Sequence, residues 1–248
     1  MRNPRWQVFI ADLVSSRSIP AADRASVDRA LARAIDRTLH VHREHFRLGP
    51  QVLKGDEMQT VLRPDAPALS ILTYLRAHLA GREGRVLRLR VGLGAGRIAR
   101  MSPKGPYASD GEAFHRARAA IEGLKAGRVE RLTGWVTGEP QFDRWAGSML
   151  PLLDAIMNRW TPAQWEAVAG RLETRGMDDI ARRSGVTFQS VSKRLRAASW
   201  KEALGAMRLL ESSVGGALLG GKGGAGARGT AQPPRGESGS SPSGGRTP

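Results

Sequence analysis

Strand patterns alternate with helical ones up to Glu139 and then stop, and this break constrains the fold of the 248-residue chain more than any other feature. Gln7-Val8-Phe9-Ile10-Ala11-Asp12-Leu13-Val14 is a nearly continuous apolar run, as expected of a strand covered on both faces. Val27, Leu31, Ala34, Ile35 and Leu39 then recur at helical spacing between charged residues, predicting an amphipathic helix that ends near Phe46. Val52-Leu53 and Met58-Thr60-Leu62 flank Lys54-Gly55-Asp56-Glu57, so a hairpin is predicted with Gly55 in its turn. A helix over 67–80, a strand over 86–98, a helix from Gly111 to Ala126 and a strand over 128–137 complete the pattern. Helices alternating with strands predict an α/β domain whose sheet is covered on at least one face.

After Glu139 only helical patterns follow. Met149, Leu152, Leu153, Ile156 and Trp160 form an apolar stripe that predicts a connecting helix. Thr161-Pro162 then opens another, with Thr as N-cap and Pro at the first helical position. From Val214 the composition turns to Gly, Ser, Pro, Ala and Arg, too poor in apolar surface to offset the entropy of ordering. The predicted organisation is therefore an α/β domain at 1–140, a connecting helix at 141–160, an all-α helix-turn-helix domain at 161–213 and a disordered tail at 214–248.

Residues 177–196 carry the helix-turn-helix reading. Ala181 is small where two helices would cross, and Gly185 sits where the turn between them wants a left-handed residue. Ile180, Val186, Val191 and Leu195 supply apolar contacts, and Thr187 can cap the second helix. Gln189, Ser190, Lys193 and Arg194 fall on the early part of that second helix. There Gln and Arg suit base edges, while Ser and Lys suit phosphates. With the preceding helix around Trp165, the segment resembles the DNA-binding domains of sigma-region-4-like regulators.

The charge agrees with a polyanionic partner. Thirty-nine Lys and Arg against 23 Asp and Glu give +16, which draws the chain toward double-stranded DNA, although a GC-rich genome also enriches arginine. The absence of cysteine excludes disulfides, thiolate zinc sites and cysteine nucleophiles. No signal-like or membrane-spanning apolar run occurs, so a cytoplasmic protein without membrane contact is expected.

The N-terminal part resembles the SatD family, through Ile10-Ala11-Asp12-Leu13-Val14-Ser15-Ser16-Arg17, Leu53-Lys54-Gly55-Asp56-Glu57-Met58-Gln59, Arg90-Val91-Gly92-Leu93-Gly94-Ala95-Gly96 and Gly111-Glu112-Ala113-Phe114-His115-Arg116-Ala117-Arg118. The same layout is similar to the palm fold of class III nucleotide cyclases and GGDEF proteins, a ferredoxin-like α+β arrangement. That resemblance implies a divalent cation, Mg²⁺ or Mn²⁺, held by Asp12 and Asp56, with Arg17, Lys54 and Arg118 steadying the phosphates of a nucleotide. It also implies an Asn and an Arg on the helix after the last glycine, where this chain has His115 and Ala119, with Arg118 one residue away and so about 100° around the helix. No catalytic residue is therefore assigned. The domain is expected to sense a ligand or to form homodimers, with a phosphoryl-transfer enzyme or a protein-binding adaptor as the alternatives.

Three other patterns are weaker. Gly92, Gly94 and Gly96 lie inside a strand and predict close packing rather than a dinucleotide loop. His40, His42 and His45 read as a solvated helix face. Trp135, Trp145, Trp160, Trp165 and Trp200 read as core.

Overall fold

The structure, a computed structural model, describes residues 5–52, 56–80, 87–127, 131–173 and 176–219. Five strands form one sheet: β1 (Trp6–Leu13), β2 (Phe46–Val52), β3 (Met58–Leu62), β4 (Leu89–Gly96) and β5 (Thr133–Val136). Their order is β2-β3-β1-β4-β5. β1 runs antiparallel to both β3 and β4, and β5 joins β4 in parallel. With α1 (Ala21–His42) and α2 (Ala68–Leu79), the first four strands make the βαββαβ arrangement of the ferredoxin-like fold.

Period-two alternation sorts the strand residues onto two faces. Phe9, Ala11, Leu13, Val91, Leu93 and Ala95 face α1 and α2. Val8 and Ile10 join Ala113, Phe114, Ala117 and Ile121 of α3 (Glu112–Ala126) on the opposite face. Gly92, Gly94 and Gly96 alternate with β4's core residues and so present bare backbone to α3. A Cβ on Gly94 would lie 2.1 Å from the carbonyl oxygen of Ala113, and one on Gly92 2.3 Å from that of Ala117. The close-packing reading of these glycines holds.

Five helices follow β5: α4 (Pro140–Met157), α5 (Pro162–Leu172), α6 (Met177–Ser184), α7 (Phe188–Ala197) and α8 (Trp200–Leu219). The apolar core is continuous from Phe9 and Leu93 through Leu72 and Tyr74 to Val168, Val191 and Leu210. Glu211 of α8 accepts the Ser70 N–H of α2's first turn at 2.8 Å, a charge-assisted cap on an end with spare donors. Between α2 and α4, Arg76 and Asp154 are buried together at 3.3 Å. Arg76 also donates to the carbonyls of Leu89 and Leu132, while Asp154 accepts the N–H groups of Leu132 and Thr133. This network fixes β5 between α2 and α4.

Several boundaries differ from the sequence reading. α1 ends at His42 and Phe46 already begins β2, an irregular edge strand whose Gly49-Pro50 step coincides with a register shift. Among the described residues β4 and β5 cover less than the predicted 86–98 and 128–137, of which 86 and 128–130 lie outside the described residues. The tail predicted from Val214 is helical over its first residues, since α8 runs to Leu219 and Met207, Leu210 and Val214 form a buried stripe along it. Trp145 is 44% exposed on α4 rather than core, whereas the other four tryptophans of that set are buried. His42 is buried with its ring 5.0 Å from that of Tyr74, so the histidine helix face is only partly solvated.

Candidate functional site

The end of β1, the β2–β3 hairpin and α3 meet at a cluster of charged side chains. Asp12 points to the α3 face, and its carboxylate is largely buried, at 12% exposure. Lys125 Nζ lies 2.5 Å from Asp12 Oδ2, and Arg90, Asp12's partner in the β1–β4 register, brings Nη1 to 3.8 Å from Oδ1. Asp56 Oδ2 accepts the Leu13 N–H at 3.2 Å, tying the hairpin to the same strand end. Asp56 is thus anchored to the backbone next to Asp12.

Arg118 also reaches the cluster, but its partner is a carboxylate of the chain itself. Both Arg118 terminal nitrogens donate to Glu57 at 2.7 Å, a bidentate pair. That pairing holds the Glu57 carboxyl below the usual carboxylate range against the opposing effect of burial. Tyr107 donates its hydroxyl to the Glu57 carbonyl at 2.6 Å. Lys54 and the Arg17 side chain lie outside the described residues. Asp12, Asp56 and Glu57 are thus matched by Arg90, Lys125 and Arg118.

Even a Mg²⁺ that takes most of its ligands from phosphate and water needs one or two carboxylates free to bind it, and in this balance Asp12 is already paired. Both Asp12 oxygens face cations of the chain. Among the described residues no group of three or more His, Cys, Asp or Glu side chains is arranged to hold a metal. The residues present do not fit Mg²⁺ or Mn²⁺. On α3, His115 turns to Asp110 at 3.0 Å, and Ala119 lines a groove beside β5, so neither supplies transition-state contacts toward Asp12.

The second candidate site is the α6–α7 pair. Gly185 adopts φ 62° and ψ 33° at the end of α6, as the turn requires. Thr187 Oγ1 accepts the Ser190 N–H at 3.2 Å and caps α7. Ile180, Ala181, Val191 and Leu195 are buried between the helices and the core. Gln189 and Lys193 are exposed, as are Phe188 and Arg196. Ser190 is occupied at the cap, its Oγ 3.0 Å from that of Thr187. Arg194 turns back to Glu166 of α5 at 3.2 Å, so Arg196 is the better placed outward arginine.

Lys125, Arg90 and Glu57 escaped the sequence reading. Only Lys125 left a signal: it follows Arg118 by seven residues and so shares its helix face.

No curated protein matches the chain. Solved structures similar to it include a bacterial light-regulated adenylyl cyclase, at 10% identity over 54% of this chain and 77% of that one with a TM-score of 0.42. The monomeric guanylyl cyclase domain of the RhoGC fusion protein from the aquatic fungus Blastocladiella emersonii gives 15%, 48%, 75% and 0.39. A microbial GGDEF domain characterised with bis-(3′,5′)-cyclic di-GMP gives 18%, 54%, 77% and 0.36. At such identities and scores, neither the activities nor the ligands of those proteins pass to this chain. The SatD family model, in contrast, matches residues 6–209, from β1 to within α8, and the chain is a member of the SatD family.

Proposed function

We propose that this protein is a DNA-binding transcriptional regulator, with α7 as the element that meets double-stranded DNA and the βαββαβ portion as a sensing or dimerising platform without turnover. The observation that carries the reading is the α6–α7 turn. A left-handed Gly185, a capping Thr187 and a buried Ile180–Val191–Leu195 seam hold the second helix with Gln189, Lys193 and Arg196 facing outward. The chain's +16 charge supports a polyanionic partner. A homodimer would match two-fold DNA sites.

The phosphoryl-transfer alternative draws no support from the acid cluster, where Lys125 and Arg90 already face Asp12. No helix among the described residues is long and apolar enough to cross a membrane.

The test is fluorescence anisotropy with genomic duplex fragments at fixed salt. Lys193→Ala combined with Arg196→Ala should weaken binding about tenfold or more and flatten its salt dependence. Gln189→Ala should instead relax sequence preference at one base pair, by about 1–3 kcal/mol. Unchanged DNA affinity in the double variant removes the reading and leaves α7 as a protein-contact surface.

A further inference from the structure

A groove of about 660 Å³ separates α1 and α2 from α5 and α6, far from the Asp12 cluster on the other face of the sheet. Its size lies in the range of small-molecule sites. The floor is cut by small residues, including Ala34, Ala163 and Gly170. At Gly170, a Cβ would lie 2.7 Å from Ile180, so α6 sits tight on α5 and leaves the space open toward α1. The groove is the product of close helix packing on one side and short side chains on the other.

Its polar groups converge on one carboxylate. Glu173, at the end of α5, has a side chain only 6% exposed and accepts the Tyr74 hydroxyl and the Arg37 guanidinium, the latter at 3.0 Å. Arg183 reaches the same carboxylate from α6, at 3.7 Å. Burial and the bond to Glu173 push the Tyr74 phenol up, which keeps it a hydrogen-bond donor. Arg33 lines the groove one turn before Arg37. The other acid of the lining, Glu166, is engaged by Arg194. Two guanidiniums thus share one internal carboxylate, from two walls that lie far apart along the chain.

We infer that this groove binds a small organic phosphate, its oxyanion held by Arg37 and Arg183 where Glu173 now holds them and its apolar body lying on the alanine floor. Guanidinium forks match a phosphate's oxygens, and a dianion suits two of them. Glu173 acts as the internal anion that keeps the arginines in place before the ligand arrives. Because Arg183 belongs to α6, occupancy would bear on the α6–α7 pair; that consequence rests on the DNA-binding reading, whereas the binding does not.

Calorimetric titration of the full chain with phenyl phosphate at fixed salt tests the inference. One saturable site per chain is expected, weakened at least tenfold by Arg37→Gln with Arg183→Gln and tightened by Glu173→Gln, which removes the competing anion. Ala163→Trp, at a half-buried position, should fill the groove and abolish binding while the thermal melt stays cooperative. Lys201→Gln, at an exposed position near the start of α8, should change nothing. Absence of saturable binding, binding that survives Ala163→Trp, or an equal loss in Lys201→Gln overturns the assignment. DNA binding that fails while phenyl phosphate still binds counts against the regulator reading alone.

Discussion

Lys125 and Asp12 are 113 positions apart in sequence and 2.5 Å apart in space. The ammonium takes up one oxygen of the carboxylate, Oδ2. Wild-type protein should therefore leave the Mn²⁺ electron paramagnetic resonance signal unquenched at micromolar metal, whereas Lys125→Met should gain weak binding that a second change, Asp12→Asn, removes. Stoichiometric Mn²⁺ uptake by the wild type would show that the ion pair yields to metal.

Among the described residues, Arg76 and Asp154 form the most buried ion pair, with side-chain exposures of 6% and 3%. Their carbonyl and N–H partners cannot be rehydrated if one member is removed. Arg76→Met should cost about 3–5 kcal/mol in urea unfolding, since it strands Asp154 in the interior. A loss under 1 kcal/mol would mean that water replaces the guanidinium.

Two glycines on opposite sides of one packing problem should respond with opposite signs. Gly94→Ala drives a methyl into the carbonyl of Ala113 and should destabilise by about 1–3 kcal/mol. Gly123→Ala, in an exposed stretch of α3 with nothing within 4 Å, should stabilise by up to about 1 kcal/mol through helix propensity alone. Urea midpoints of the two variants, measured side by side, give the comparison.

His42 titrates late. Burial is the main cause, with His45 adding to it, and the imidazole is lowered from 6.5 to about 4. The unfolded chain takes up this proton below about pH 6.5 while the folded one does not. Stability is therefore complete above 6.5 and falls as the pH drops toward 4. His42→Gln should flatten the midpoint against pH over that window; an unaltered slope would assign the acid limb to other groups, Glu57 among them.

The parts of the fold that were legible in sequence are those where one residue's neighbours along the chain carry the signal. β1 announces burial on both faces by its unbroken apolar run, Gly185 and Thr187 mark the α6–α7 turn, and the alternate glycines of β4 foretell a close helix. β2 was shortened because Arg47, Gly49 and Pro50 interrupt alternation on an irregular edge, and the tail was begun too early because Gly215 and Gly216 turn the composition tail-like where α8 still continues. Of the acid cluster, Asp12, Asp56 and Arg118 were picked out by resemblance. Their partners were not, since periodicity tells which face a charge occupies but not which distant charge answers it. Arg194 shows the same limit: its face could be read from the periodicity, its tether to Glu166 could not.

The bare backbone that β4 offers to α3 has a mechanical consequence. Most helices ride on a sheet over a layer of side chains whose rotamers can absorb small shifts; here three positions of that layer are missing. α3 and β4 must move as one piece, so a pull on Lys125 or Arg118 is delivered undamped to Arg90 and to β5 at the sheet's edge.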